Sequence, residues 1–144
     1  MLQKNGYIIN NQDDILRIEA GFCLYGTDIN GSITPVEANL NWTIDHNRSK
    51  NNLFPGFDII SYQLRKSPKK IRMGFLPEGP SIPRVATKMT DHQGNIVGNI
   101  TSGSFSPSLN RPVAMGYIES KHVSSMENIK LLIRKNTVDA QIVK

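Results

Sequence analysis

Cysteine is nearly missing from this chain. Cys23 is the single one in 144 residues, so no disulfide can close within it, and a cysteine-built metal site is not expected. A reducing compartment, the cytoplasm or a mitochondrial matrix, is the expected home. No stretch approaches the ~18 consecutive apolar residues of a membrane-spanning helix. The opening MLQKNGYIINNQDD has no apolar run after its lysine, which argues against a secretory signal and against a membrane partner. Internal repeats and low-complexity tracts are absent as well. The three histidines, His46, His92 and His122, read as surface residues, and none has metal-ligand spacing to another His, Cys or carboxylate. Ser102-Gly103-Ser104 lacks the G-x-S-x-G frame of a nucleophile elbow and reads as a strand-ending turn. Gly98 to Gly103 is no dinucleotide fingerprint. Asp14 and Glu19, five apart, diverge around a helix and are no acid–base pair. Cys23 reads as a half-buried thiol with nothing beside it to lower its pKa. Catalytic residues and a metal site are therefore expected to be none.

What the chain does have is a formal charge of +5 and a pI near 9.5. Most cations are scattered, as on a solvated surface, and nucleic acid is not expected as a partner. A short run, Arg65, Lys66, Lys69, Lys70 and Arg72, is where an anion or an acidic partner would meet the protein. Arg17 and Glu19 stand in an otherwise apolar stretch. A charge buried there needs a partner, either an ion pair to another segment or a ligand.

The periodicity changes once along the chain. Asn11 and Asp14 suit a helix start, and Ile15, Ile18 and Phe22 share a helical face, predicting a helix over 12–25 stopped by Gly26. Thr34-Pro35-Val36-Glu37 has the spacing of a capping box ahead of a short helix. Asn39 to Ile44 alternates as an extended segment. His46 to Asn52 reads as a loop. Pro55 opens another helix, with Phe57, Ile60, Ser61 and Leu64 on one face, and Pro68 closes it. From about Lys69 the period becomes two. Ile71, Met73 and Phe75 alternate, and further strands are expected over 96–101, 113–118, 129–135 and 138–143, with a turn at Asp91 to Asn95. The expected fold class is α+β: an N-terminal helical segment followed by a small antiparallel β-barrel, sandwich or jelly-roll-like domain. The domain division is expected at 1–67 and 68–144.

Several longer strings carry more than periodicity. LRIEAGFCLYGTDI (16–29), TPVEANLNWTI (34–44), Phe54-Pro55-Gly56 with Gln63, Arg72 with Gly74 and Phe75, Glu78-Gly79 with Arg84, IVGNITSGSFSPSL (96–109) and VAMGYI (113–118) resemble, in order and spacing, the C-terminal part of the glycine cleavage system T-protein. That family is the tetrahydrofolate-dependent aminomethyltransferase. The resemblance implies transfer of a one-carbon unit from the lipoyl arm of a carrier protein, the H-protein, to tetrahydrofolate. It implies that Arg17, Glu19, Tyr25 and Arg84 lie near the folate or another ligand, and that Gly21, Gly26, Trp42, Arg72 and Gly103 are structural. It also implies departures. Family members are more than twice as long, and their pterin-side aspartate lies in an N-terminal portion. Asp13 stands where the family has an arginine, and Val143-Lys144 stands where the family runs on into an aromatic-bearing tail. The expectation is a C-terminal fragment of an aminomethyltransferase, not catalytic alone, completed by a separate N-terminal half. The alternative is a non-catalytic protein-binding module or remnant that docks on the lipoyl carrier or on a separate N-terminal half. An uncovered apolar face on the 12–25 helix is expected to promote self-association.

Overall fold

In the computed structural model, residues 12–45, 54–124, 128–134 and 136–143 are described, less the side chains of Gln12, Asp13 and Ser124. His46, the 46–52 loop and the side chain of Asp13 thus lie outside the described part.

Two short helices precede a barrel. The first, α1 (Gln12–Glu19), is shorter than expected. It ends because Gly21, at φ +74°, takes the left-handed position after the helix. The Gly21 N–H donates to Ile18 O at 3.1 Å and the Phe22 N–H to Arg17 O at 2.7 Å, the paired bonds of a Schellman stop. Gly21 thus performs the stop expected of Gly26, while Gly26 (φ +88°) shapes a later turn, donating to Ile29 O at 2.7 Å. Phe22 consequently leaves the helical face that Ile15 and Ile18 share and faces solvent.

The capping box forms as its spacing requires. The Thr34 N–H donates to Glu37 Oε2 at 3.0 Å, and the Glu37 N–H to Thr34 Oγ1 at 3.1 Å. It opens a single turn, ended at Asn39 with φ +58°. The extended segment expected over 39–44 is instead a 3-10 turn at Asn41–Thr43. Thr34 Oγ1 also donates to Gln63 Oε1 at 2.6 Å, tying this turn to α2 (Phe57–Lys66). Helix α2 begins after Gly56 and ends at Lys66 ahead of Pro68, which is buried.

The strands are β1 (Lys70–Pro77), β2 (Lys88–Thr90), β3 (Ile96–Ser106), β4 (Arg111–Glu119), β5 (Ile129–Ile133) and β6 (Asn136–Val143), with a short helix α3 (Ser120–Ser124) between β4 and β5. All pairings are antiparallel, and the strands close as a barrel in the order β1-β4-β3-β2-β5-β6. A barrel, not a sandwich, is the solution adopted, and closure leaves no open sheet edge. Strand β2, only three residues with Lys88 and Thr90 around one buried Met89, was not expected, since three residues are too few to show a period. Ser102-Gly103-Ser104 is also corrected: it lies inside β3 and not at its end. The Asp91–Asn95 turn is present, with Asp91 Oδ1 accepting from the Gln93 and Asn95 N–H groups, both at 2.9 Å.

The barrel interior is filled by Met73 and Phe75 of β1, Met89, Val97, Ile100, Ala114, Ile118, Ile129, Leu131 and Ala140. Strand β4 is buried on both sides, from Pro112 to Ile118. Its inward residues join that core, while Val113 and Met115, pointing outward, pack under Ile18 and Leu76. The N-terminal segment is therefore a cover laid over the outer face of β1 and β4. Phe75, fully buried, is central to the interior. Phe75→Ala is expected to lower stability by about 3–5 kcal/mol, read as a reduced midpoint in urea unfolding with an unchanged slope.

Candidate functional site

One carboxylate joins the cover to the barrel. Asp28 is only 2% exposed, and each of its oxygens accepts two hydrogen bonds. Oδ1 accepts from Thr101 Oγ1 at 2.5 Å and Ser102 Oγ at 2.7 Å. Oδ2 accepts from the Leu24 N–H at 2.9 Å and from Arg17 Nη1 at 2.7 Å. Its backbone carbonyl accepts from the Tyr117 hydroxyl at 2.8 Å. Two successive residues of one strand can serve the same carboxylate because the β3–β4 register slips between Ile100 and Ser102. The extra residue, Thr101, forms a bulge that breaks the alternation of side chains.

Burial pushes the Asp28 carboxyl up, but the Thr101, Leu24 and Ser102 hydrogen bonds and the Arg17 charge outweigh it, so the group titrates below the usual carboxylate range. Arg17 is held in turn. Its Nε donates to Asp14 Oδ1 at 2.6 Å, Nη1 also to Phe22 O at 3.3 Å, and Nη2 to Ser102 Oγ at 3.1 Å. The Tyr117 hydroxyl is pushed up to about 12 by burial, and Lys70 Nζ sits 5.4 Å over its ring, within cation–π range.

A second anchor lies along β1. Arg72 is 7% exposed. Its Nε donates to Ala38 O at 2.8 Å, and its Nη1 to Gly21 O at 2.8 Å and towards Met115 Sδ at 3.1 Å. Arg72 therefore pins the loop after α1 and the capping-box turn to the barrel.

Beside the Asp28 network is a cleft of about 270 Å³ whose walls include Arg17, Arg84, Thr27, Ser102, Gly103 and Ser104. Two of the four residues expected near a ligand, Arg17 and Arg84, thus share one cleft that offers cations and hydroxyls. The other two do not join them. Glu19 lines a separate groove of about 410 Å³ with Phe22, Trp42 and Arg72, and Tyr25 is exposed beside a one-residue bridge to Ile29. Gly103 is needed for close approach: a Cβ there would stand 2.2 Å from Pro83 O. Trp42, expected to be structural, is 80% exposed. The 3-10 turn that carries it leaves its indole at the groove rim, so it fills no interior space here. His122 also departs from expectation, its side chain being only 12% exposed with Nε2 3.9 Å from Glu119 Oε2. Cys23 is half-buried. Among the described residues, no group of three or more His, Cys, Asp or Glu could hold a metal ion, and no helix is long and apolar enough to cross a membrane.

Asp28, Thr101 and Tyr117 were not singled out from the sequence, and Ser102 was read only as part of a strand-ending turn. Asp28 sits in Gly-Thr-Asp-Ile, where an acid reads as a turn residue. The one available signal was Thr101-Ser102, a polar pair interrupting the two-residue period of a strand.

Residues 70–144 match the model of the glycine cleavage T-protein C-terminal barrel domain. The chain is 41% identical over 131 residues to the mitochondrial aminomethyltransferase of Solanum tuberosum, covering 91% of this chain and 32% of that one. It is likewise 41% identical to the mitochondrial aminomethyltransferase of Gallus gallus, covering 91% and 33%. The crystal structure of glycine cleavage system aminomethyltransferase T from Bartonella henselae superposes with a TM-score of 0.81 at 33% identity, covering 91% of this chain and 36% of that one. The chain spans about a third of the length of the curated relatives it matches.

Two outcomes follow from the network. Asp28→Asn leaves donors facing a group that can accept at only one atom, and is expected to cost about 3–5 kcal/mol at pH 7. The Asp28 carboxyl is held down in the folded state, so its stabilisation is complete above the unfolded value near ~3.9 and fades as pH falls through the lower folded value. Urea midpoints measured from neutral to acid pH should therefore fall less steeply for Asp28→Asn than for the parent. Tyr117 carries the opposite sign. It is favoured neutral, so its contribution is whole below the unfolded value near ~10 and fades as pH rises from there towards about 12. An absorbance titration should show a late tyrosine step that Tyr117→Phe removes.

Proposed function

Because the chain belongs to the glycine cleavage T-protein family through its C-terminal barrel domain, we propose that it serves as the C-terminal part of an aminomethyltransferase and does not catalyse transfer by itself. In this reading residues 1–67 are the tail of the folate-binding portion and 68–144 the barrel domain. The reaction served is passage of a one-carbon unit from an aminomethyl-lipoyl carrier, the H-protein, to tetrahydrofolate. Arg17 and Arg84 are the residues proposed nearest the ligand, with Glu19 and Tyr25 completing the site only once another polypeptide is in place. The proposed location follows the relatives, a mitochondrial matrix or its cytoplasmic counterpart.

The observation that carries this reading is the size and make-up of the cleft. At about 270 Å³ it falls short of the ~300–1,000 Å³ typical of an enclosing small-molecule pocket, so a folate would lie mostly in water. The groove of about 410 Å³ holds only Glu19 of the four ligand-proximal residues, and a wider one of about 980 Å³ between α2 and the barrel holds none. Transfer chemistry needs a water-excluding pocket and fixed orientation of both reactants, and one wall with two arginines supplies neither.

A docking module for the acidic carrier is the second reading, and one feature favours it. Residues 68–144 hold eleven Lys and Arg against five Asp and Glu, while residues 1–67 hold six against seven. The net positive charge thus lies in residues 68–144, and a net-positive surface speeds capture of an acidic partner. Calorimetric titration separates the readings. The fragment reading expects no saturable heat with a reduced folate alone, and folate binding and turnover on adding the N-terminal two-thirds of the potato relative. Micromolar folate binding with transfer by the chain alone would sink it. Heat with the lipoylated carrier alone, lost in high salt, would select the docking module.

A further inference from the structure

Strands β2 and β5 lie across the barrel from β1 and β4, which the N-terminal segment covers. On that far side a cleft of about 450 Å³ opens between the loop before β2 and the β5–β6 turn. Among the described residues, none of 1–67 lines it, so its walls are built by the barrel domain alone. Its polar groups are Ser81, Arg84, Thr87, Arg134 and Asn136, and no carboxylate stands among the described lining residues. Arg84 and Arg134 are both exposed. Neither guanidinium has a hydrogen-bond or ion-pair partner among the described residues. Arg84 also walls the cleft beside Asp28, but Arg134 takes no part in that one.

Both arginines are carried on braced backbone. The Ala86 N–H donates to Ile100 O and the Ile100 N–H to Thr87 O, both at 2.9 Å. The Thr87 N–H donates to Arg84 O at 3.0 Å, and Thr87 Oγ1 accepts from the Arg84 N–H at 3.1 Å. That hydroxyl keeps its own proton to donate. Arg134 opens the two-residue turn between the paired Ile133 and Asn136. At φ +57° it holds the left-handed position where Asn or Gly is usual.

We propose that this cleft binds a phosphate group, with Arg84 and Arg134 as its cations and Ser81, Thr87 and Asn136 as neutral donors. A single exposed arginine is ordinary surface. Two that face one cleft with no acid between them repel each other, and an anion seated there turns the repulsion into attraction. Charge selects the anion. A phosphate group carries about −1.5 to −2 at pH 7, which balances two guanidiniums, whereas one carboxylate would leave a positive charge unmatched. Shape agrees, since the forked N–H groups of arginine pair with phosphate oxygens two at a time. Because the backbone of both arginines is already fixed, binding has only side chains to order. The volume falls within the ~300–1,000 Å³ of small-molecule sites, so the phosphate is either free or carried on a small organic molecule. The inference is independent of the aminomethyltransferase reading, which gives Arg134 no role.

The test is a titration of the full chain with inorganic phosphate at constant ionic strength, followed by amide NMR shifts. Amides of 81–87 and 133–136 are expected to move along one saturating curve, half-complete at about 0.1–1 mM. Acetate at the same ionic strength should bind at least about fivefold more weakly. Arg134→Asn removes one cation and places at the turn a residue that accepts the left-handed position. Its thermal melt should be unchanged or raised while phosphate affinity falls at least about fivefold. Lys88→Gln removes the same charge from an exposed position of β2 outside the cleft, and should leave the curve as it was. Phenyl phosphate separates the sources: tighter binding than inorganic phosphate selects a phosphate carried on an organic molecule, and equal or weaker binding selects the free ion. Shifts that do not saturate overturn the proposal. So does acetate binding as tightly as phosphate, an Arg134→Asn curve equal to the parent's, or a loss with Lys88→Gln as large as with Arg134→Asn.

Discussion

A carboxylate that is 2% exposed must find its hydrogen bonds inside the protein, and Asp28 finds them only in one arrangement. Its four donors come from three places: the α1 helix (Arg17), the loop after it (Leu24 N–H) and the β3 bulge (Thr101 and Ser102). Moving the N-terminal segment by one residue along the barrel would strand the carboxylate, at a cost of several kcal/mol for a buried charge left unpaired. A buried ion pair adds little net stability compared with apolar packing of the same volume. What it adds here is register. It selects one seating of a segment whose apolar contact with the barrel, Ile18 on Val113 and Met115, would tolerate small slips.

Arg72 applies the same logic with the opposite sign. A cation on the outer face of β1 would normally sit in water, yet this one is covered. Backbone carbonyls of Ala38 and Gly21 receive it, and both are carbonyls freed by the ends of turns. Each turn ends in a left-handed residue, Gly21 or Asn39. The stops that make α1 and the capping-box turn so short therefore also release the oxygens that anchor them. Shortness and anchorage have one cause.

This coupling explains what was legible in the sequence and what was not. In β1 the inward Ile71, Met73 and Phe75 alternate with Arg72, Gly74 and Leu76 on the covered outer face, so the two-residue period shows and the strand is readable. In β4 seven consecutive buried residues hide which side faces the interior, because the second side is covered by a segment more than forty positions away. The capping box was readable since it is a local bond pair. The end of α1 was not, because two glycines, Gly21 and Gly26, offered equivalent stops, and Arg72 far along the chain favours the earlier one. Resemblance brought out Arg17 and Arg84, which do meet at one cleft. It did not bring out Asp28, since a bulge that aims Thr101 and Ser102 at one atom leaves almost no trace in a strand's pattern.

The network also fixes what Arg17 can do for a ligand. A guanidinium has five N–H groups. Here Nε is held by Asp14, Nη1 by Asp28 and Phe22 O, and one N–H of Nη2 by Ser102. Among the described residues one N–H has no partner, and the charge is already shared between two carboxylates at 2.6 and 2.7 Å. Arg17 is thus committed to two carboxylates that together outweigh its single charge, and Arg84 is the exposed arginine of the cleft. One exposed arginine at an open cleft binds weakly, because water screens it and nothing holds the ligand from the other side. Binding would sharpen only when a second surface closes the cleft and excludes that water. The bonds that seat the N-terminal segment so firmly on the barrel are therefore the same ones that take up Arg17 within the fold.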